Sequence, residues 1–368
     1  MDGFLGGIVT LVAFLLMLGL LVLVHELGHF LTARQLGIKV DEFGIGYPPR
    51  AATLFVHDGV KYTLNWLPIG GFVRFSGEGE QVYGVGSLSL ATPWKKLLVL
   101  IAGPLMNLLL TFVIFTVLFV VNGIPTPDTT IEQVFPNTPA AAAGFQPGDV
   151  IVQLDGHPIE RSDTELVRQI GEQNKGRSIE AVVERNGQQV TLHITPGPWT
   201  TSEGEHRDSG FGIAYDIQRV TVNLPSAISL GFQRTILLLV SFLDGLRQLF
   251  GGLLGLNPPP AGGVAGVVGI ARGTGEIIQR EGLPGFWQWT AAISLNLFLV
   301  NLLPIPALDG SHIVFSLIEM ARHGKKIPPE KEAMVHAIGF AMVIGLMLVI
   351  TVSDVAKWIN GTPVLGGG

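Results

Sequence analysis

From Gly3 to Val24 the chain reads GFLGGIVTLVAFLLMLGLLVLV, without a charge, and it then turns polar at His25, Glu26 and His29. Roughly 20 apolar residues suffice for a helix to span a bilayer. Four segments meet or approach that length: 4–31, 97–121, a stretch within 286–308, and 336–353. A fifth, 226–254, carries Arg234, Asp244 and Arg247 among leucines, which suits a helix lying at a membrane interface. Between about 123 and 196 the pattern changes to alternation broken by PGD, DG and NG, which predicts a small β-rich domain. Residues 197–225 read as an irregular linker with one strand, FGIAYDI. Residues 51–75 form a strand pair with Asp58-Gly59 as its turn. Their apolar side chains suit a hairpin that enters the membrane, where backbone must be buried in protein or line a wet cavity.

Composition agrees with this pattern. Charged residues make up 14% and hydrophobic residues 48% of the 368 positions, against roughly 25% charged in a soluble protein. The expected fold is a polytopic α-helical membrane protein with about four transmembrane helices, a membrane-associated β-hairpin and an inserted β-rich domain. Its parts are residues 1–122 with the first two spans and the hairpin, the insert at 123–196, a linker and interfacial helix at 197–256, and 257–368 with the last two spans. The N-terminus lacks the basic region of a signal peptide, so the first segment is expected to be retained. Arg34, Lys39, Arg50, Lys61, Arg74, Lys95 and Lys96 lie between the first two spans, and Arg322, Lys325, Lys326 and Lys331 between the last two. Both loops are expected to be cytoplasmic and the β-rich insert extracytoplasmic. The net charge of −6 gives no reason to expect a nucleic-acid partner, and the absence of cysteine excludes disulfides and thiolate metal ligands.

His25 and His29 stand one helical turn apart, about 40° around the axis, so both imidazoles can reach one zinc ion. Glu26 is placed to take a proton from a water and pass it to a leaving amine. This is the H-E-x-x-H pattern of zinc metalloproteases. Inside a membrane helix such ionisable groups are rare and usually functional. A catalytic zinc wants a third protein ligand. The extended motif fails here, because Thr32 and Gln35 occupy its last two positions. Asp309, in NLLPIPALDG at 301–310, is the leading candidate. The alternatives are that Asp309 caps the following helix, or that His312 is the ligand.

HELGH and NLLPIPALDG together resemble the site-2 protease family of intramembrane zinc metalloproteases, most closely the bacterial sigma-E-regulating type with PDZ domains. GPLMN at 103–107 resembles the family's G-P-x-x-N signature, and VFPNTPAAAAGFQPGDVIVQLDGHPI resembles a PDZ core. GVVGIAR at 266–272 is similar to a G-P-V-G-I-A segment, with Val267 in place of proline. The resemblance implies zinc held by His25, His29 and Asp309, with Glu26 catalytic. It implies that Asn301 binds substrate backbone or the oxyanion, while Asn107 lines the substrate path or packs helices. It further implies a bacterial inner-membrane enzyme with its active site near the cytoplasmic side. The expected substrate is a single-span membrane protein, an anti-sigma factor or a signal-peptide remnant. The single PDZ domain would bind a peptide or C-terminus. The competing readings are a zinc transporter or sensor, which has no need of Glu26, and a non-catalytic PDZ scaffold.

Overall fold

The computed structural model describes residues 4–76, 86–200, 206–255, 265–325, 327–360 and 364. The boundary expected at 256/257 and the basic residue Lys326 lie outside them. The order is α1 (Phe4–Gln35), β1 (Val40–His57), β2 (Val60–Phe75), α2 (Pro93–Asn122), β3 (Ile124–Val134), α3 (Pro139–Ala143), β4 (Val150–Leu154), β5 (His157–Pro158), α4 (Thr164–Gln173), β6 (Ile179–Arg185) and β7 (Gln188–Ile194). It continues with β8 (Trp199–Thr200), β9 (His206–Arg207), β10 (Ile213–Val220), α5 (Leu224–Leu253), α6 (Val267–Leu302), α7 (Asp309–Ala321) and α8 (Pro329–Ile359). The chain divides into two compact units, one made of 1–118 and 224–368, the other of 119–223.

In the first unit, α1, α2, α5 and α8 are long and apolar enough to cross a membrane. Leu5, Leu11, Val12 and Leu16 on α1 and Leu346, Leu348 and Val349 on α8 are exposed. Lipid is the solvent that makes such surfaces favourable. The sequence reading differs at two places. The segment expected at an interface, 226–254, is one continuous helix that qualifies as a span, because its three charges are spread thinly enough to leave long apolar windows. The segment expected within 286–308 is the second half of α6, which bends at Gly282 (φ 65°) with Pro284 just beyond. Leu303 ends that helix, one residue before Pro304.

Two packed clusters and one polar attachment hold this unit together. Phe14, Met17 and Leu21 of α1 bury against Ile293 of α6. Phe30 and Ala33 of α1, Val99 of α2, and Val40, Phe43 and Val60 of the hairpin form a second core. Between helices that face lipid, such contacts stabilise through close packing rather than through removal from water. The third attachment is polar. Asp354 of α8 accepts hydrogen bonds from the Gly266 and Gly269 amides at 2.9 and 2.8 Å, capping the start of α6. Val267 sits at the first helical position, where a proline costs nothing because that N–H has no helical partner.

The hairpin is longer than predicted, and it folds back on itself. Residues 42–45 pair with both 61–64 and 71–74, and the Asp58-Gly59 turn joins His57 to Val60. Buried Glu42 accepts from Thr63 and Arg50 and pairs with Arg74. Burial alone would raise its carboxyl, but the hydrogen bonds from Thr63 and Arg50 and the nearby guanidinium charges hold it below the ordinary range.

The second unit has a sheet in the order β10-β3-β4-β6-β7, with β5 on β4. Ile131, Ile151, Leu154, Val167, Ile179, Val183 and Ile194 form its core with Phe145 and Phe211. Asp149, fully buried, takes two 2.7 Å hydrogen bonds from Arg185. The strand expected at FGIAYDI within the linker is β10, which runs on to Val220 and pairs antiparallel with β3 from Ile213↔Val134 to Val220↔Ile124. Alternation alone could not show the pairing, because the partner strand lies far away in sequence.

Candidate metal centre

Helix α1 presents His25 and His29, each under 10% exposed, toward α2. Their Nε2 atoms are 3.1 Å apart. Space for the two rings comes from Gly103: a Cβ there would stand 2.3 Å from His29 Nε2 and 2.9 Å from His25 Nε2. The far nitrogens are also occupied. His29 Nδ1 donates to the Val99 carbonyl at 2.8 Å, which fixes the tautomer that leaves Nε2 with a lone pair. His25 Nδ1 lies 3.4 Å from the Asn107 amide. Asn107 is itself fully buried, and its Oδ1 has no hydrogen-bond partner. Turning that amide over lets Oδ1 accept from Nδ1–H, which satisfies both groups. The Asn107 carbonyl accepts from Ser294 of α6 at 2.8 Å, so one residue ties α1, α2 and α6 together.

Asp309 arrives from the opposite end of the chain. Pro304 and Pro306 follow the end of α6, Ala307 turns left-handed at φ 76°, and Asp309 opens α7. The adjoining glycine is required by packing, since a Cβ at Gly310 would lie 2.0 Å from the Leu303 carbonyl oxygen. Lys96 of α2 pairs with Glu319 of α7 at 2.8 Å and holds that helix against α2. The result places Asp309 Oδ2 3.0 Å from His25 Nε2 and 3.5 Å from His29 Nε2. That oxygen is buried without a hydrogen-bond partner.

These distances test the fit of a metal. Zinc bonds of roughly 2.0–2.1 Å at tetrahedral angles put ligand atoms about 3.3 Å apart. The three separations here are 3.0, 3.1 and 3.5 Å. Two imidazoles and a carboxylate are also a donor set that suits zinc. Glu26 lies beside them, and its Oε2 accepts from the Val73 amide of β2 at 3.1 Å.

Of the residues singled out from the sequence, His25, Glu26, His29, Asp309 and Asn107 come together. Asn301 is half-buried near the end of α6, eight residues before Asp309. His312, the rival ligand, sits elsewhere, against Glu332 and His336 of α8. Sequence reasoning missed the Val99 carbonyl, the Val73 amide and the Lys96–Glu319 pair. The first two are backbone groups and leave no sequence signal. The third joins residues 223 positions apart.

A model of the peptidase family M50 matches residues 13–346, a range that includes both the HELGH and the LDG segments. The chain belongs to this family. This M50 peptidase is 30% identical to the regulator of sigma-W protease RasP of Bacillus subtilis, over 95% of this chain and 98% of that protein. It is 28% identical to the zinc metalloprotease RasP of Oceanobacillus iheyensis, over 95% and 99%. With the zinc metalloprotease RasP of Geobacillus kaustophilus the identity is 29%, over 95% and 98%. The M50 peptidase is therefore a membrane-embedded zinc metalloprotease, and zinc is its cofactor.

Proposed function

We propose that His25, His29 and Asp309 hold the zinc and that Glu26 is the proton carrier for peptide-bond hydrolysis within transmembrane segments. The observation that carries this assignment is the convergence of Asp309 Oδ2 on the two Nε2 atoms, with Glu26 one residue from the first of them. Zinc, when bound there, supplies Lewis acidity toward a water and a peptide carbonyl. Glu26 removes the proton from the attacking water and delivers it to the leaving amine. The hydrogen bond from Val73 aims the carboxylate and leaves the proton-carrying position next to the histidines. Asn301 supplies an amide donor to the developing oxyanion. Asn107 orients His25, and its position beside the site also suits the substrate path.

The substrate backbone must be extended before its carbonyl can be reached, since a helix keeps its carbonyls in its own hydrogen bonds. Strand β2 lies next to Glu26 and offers main-chain groups for pairing with an extended peptide. The substrate class is a single-span membrane protein, an anti-sigma factor or signal-peptide remnant. The name of the Bacillus subtilis relative, a regulator of sigma-W, supports the first. The setting is a bacterial inner membrane, with the site toward the cytoplasm and the β-rich unit outside. We assign that unit as a single PDZ domain that binds a peptide or C-terminus, on its core motif and its helix-flanked sheet.

The test is co-expression with candidate single-span substrates, comparing the wild-type chain with Glu26→Gln. The variant is expected to keep zinc and release no fragment. Fragment release at the wild-type rate would contradict the role of Glu26, and a zinc transporter would keep its flux in that variant.

A further inference from the structure

A second group of metal-ligating side chains stands apart from the catalytic trio. Glu332 and His336 lie one turn apart on the same face of α8, and His312 of α7 faces them. His312 Nδ1 is 3.6 Å from Glu332 Oε1, and His336 Nε2 is 4.0 Å from the same oxygen. The two imidazoles stack at 4.3 Å with their planes 24° apart. Ligand atoms around a tetrahedral zinc lie about 3.3 Å apart, and the three candidate ligand atoms lie within 4.8 Å of one another, so they come into range when the histidines close on Glu332 by about 0.3 and 0.7 Å and the two rings swing out of their stack. The side chains have room for that movement, at 45%, 36% and 18% exposure for His312, Glu332 and His336. The donor set repeats that of the catalytic site, two imidazoles and one carboxylate. His336 Nε2 is buried and has no hydrogen-bond partner.

The other nitrogen of His336 is already used. Nδ1 accepts from the Ala307 amide at 3.3 Å, and Ala307 is the left-handed residue two positions before Asp309. Contact between the two segments is tight here, since a Cβ on Gly339 would lie 2.0 Å from Pro306 Cβ. A neutral imidazole has one lone pair and one N–H. If Nε2 gives its lone pair to a cation, the proton moves to Nδ1, and Nδ1 can no longer accept from Ala307. Occupation of this cluster and anchoring of the Ala307 turn therefore exclude each other.

We propose that His312, Glu332 and His336 form a second, partly buried site for a divalent transition cation of the zinc class, and that filling it releases the Ala307 turn and lowers proteolysis. The inhibitory half rests on Asp309 being a catalytic ligand; the binding half does not.

The experiment titrates the purified full-length chain with Zn2+, measuring bound metal by equilibrium dialysis and cleavage of a single-span substrate in parallel. His312→Ala and Glu332→Gln are two independent disruptions of the cluster, and His25→Ala/His29→Ala removes the other site. The wild type is expected to take up a tight ion and then a weaker one, with cleavage falling as the weaker one binds. His312→Ala and Glu332→Gln should lose the weaker ion and resist excess zinc, while the double histidine variant keeps it. A single ion per wild-type chain throughout the titration overturns the site, as does a weaker ion that persists in both cluster variants. Uptake of the weaker ion with cleavage unchanged overturns the coupling. Retention of the tight ion by His25→Ala/His29→Ala strikes the catalytic assignment instead, and is read from a different variant.

Discussion

Gly103 lies directly against His29, with no room between them for a single carbon atom. A Cβ on Gly103 would sit 2.3 Å from His29 Nε2. The glycine of the GPLMN segment is therefore the seat on which both imidazoles rest. Gly103→Ala should force the rings off their shared focus. Overpacking of this kind costs about 1–3 kcal/mol, or roughly 5- to 150-fold in zinc affinity. Competition with a chelator measures it; unaltered affinity would show that the rings have another resting place.

Asn107 supports His25 from behind, as Val99 supports His29. Removing such an outer partner typically lowers metal affinity or activity by about 10- to 100-fold. Asn107→Ala should fall in that range, with Asn107→Gln no better, because the longer side chain has no space at a fully buried position. Zinc affinity and cleavage rate are both to be read. A loss of cleavage with unchanged zinc affinity would move Asn107 from ring orientation to substrate contact.

The core of the second unit is tied by the ion pair between fully buried Asp149 and Arg185. Asp149→Ala leaves Arg185 without its bidentate partner, and breaking a buried pair costs about 3–5 kcal/mol. The Arg185 side chain is 22% exposed, so water offsets part of this and the lower figure applies. Hydrogen exchange in the full chain should show β4, β6 and β7 opening early. Protection equal to the wild type would contradict the role of the pair.

Excision of the second unit tests its purpose. Ile124 and Val220 are direct strand partners, so residues 124–220 can be replaced by a short flexible linker without stretching the chain. A domain that screens substrates predicts that the shortened enzyme cleaves proteins whose outer domains are intact. Unchanged selectivity would reduce the unit to a spacer.

The sequence revealed the chemistry more readily than the architecture. HELGH was legible because its spacing and its apolar setting both point to a ligand pair. Asp309 stood out as a candidate because a carboxylate beside two prolines at the end of an apolar run is costly without a use, but the residues alone left open that it caps α7; the structure brings its carboxylate to the two imidazoles. What could not be read depends on distant partners: β10 finds β3 across the whole second unit, and Asp354 caps α6 from 88 residues away. Segment 226–254 was expected at an interface, and it forms one continuous helix long and apolar enough to cross a membrane; local charge content says little about whether such a helix lies along a bilayer or crosses it. The hairpin was visible from its Asp-Gly turn, but its double pairing around residues 42–45 was not. That pairing rests on Glu42 binding groups from three places in the sheet.

Anomalous X-ray scattering at the zinc edge, from crystals of the full chain grown without added zinc, tests the central claim most directly. The account predicts one ion about 2.0–2.1 Å from His25 Nε2, His29 Nε2 and an Asp309 carboxylate oxygen. An ion held by the two histidines with Asp309 turned away, or none at that position in cleavage-competent protein, would contradict it.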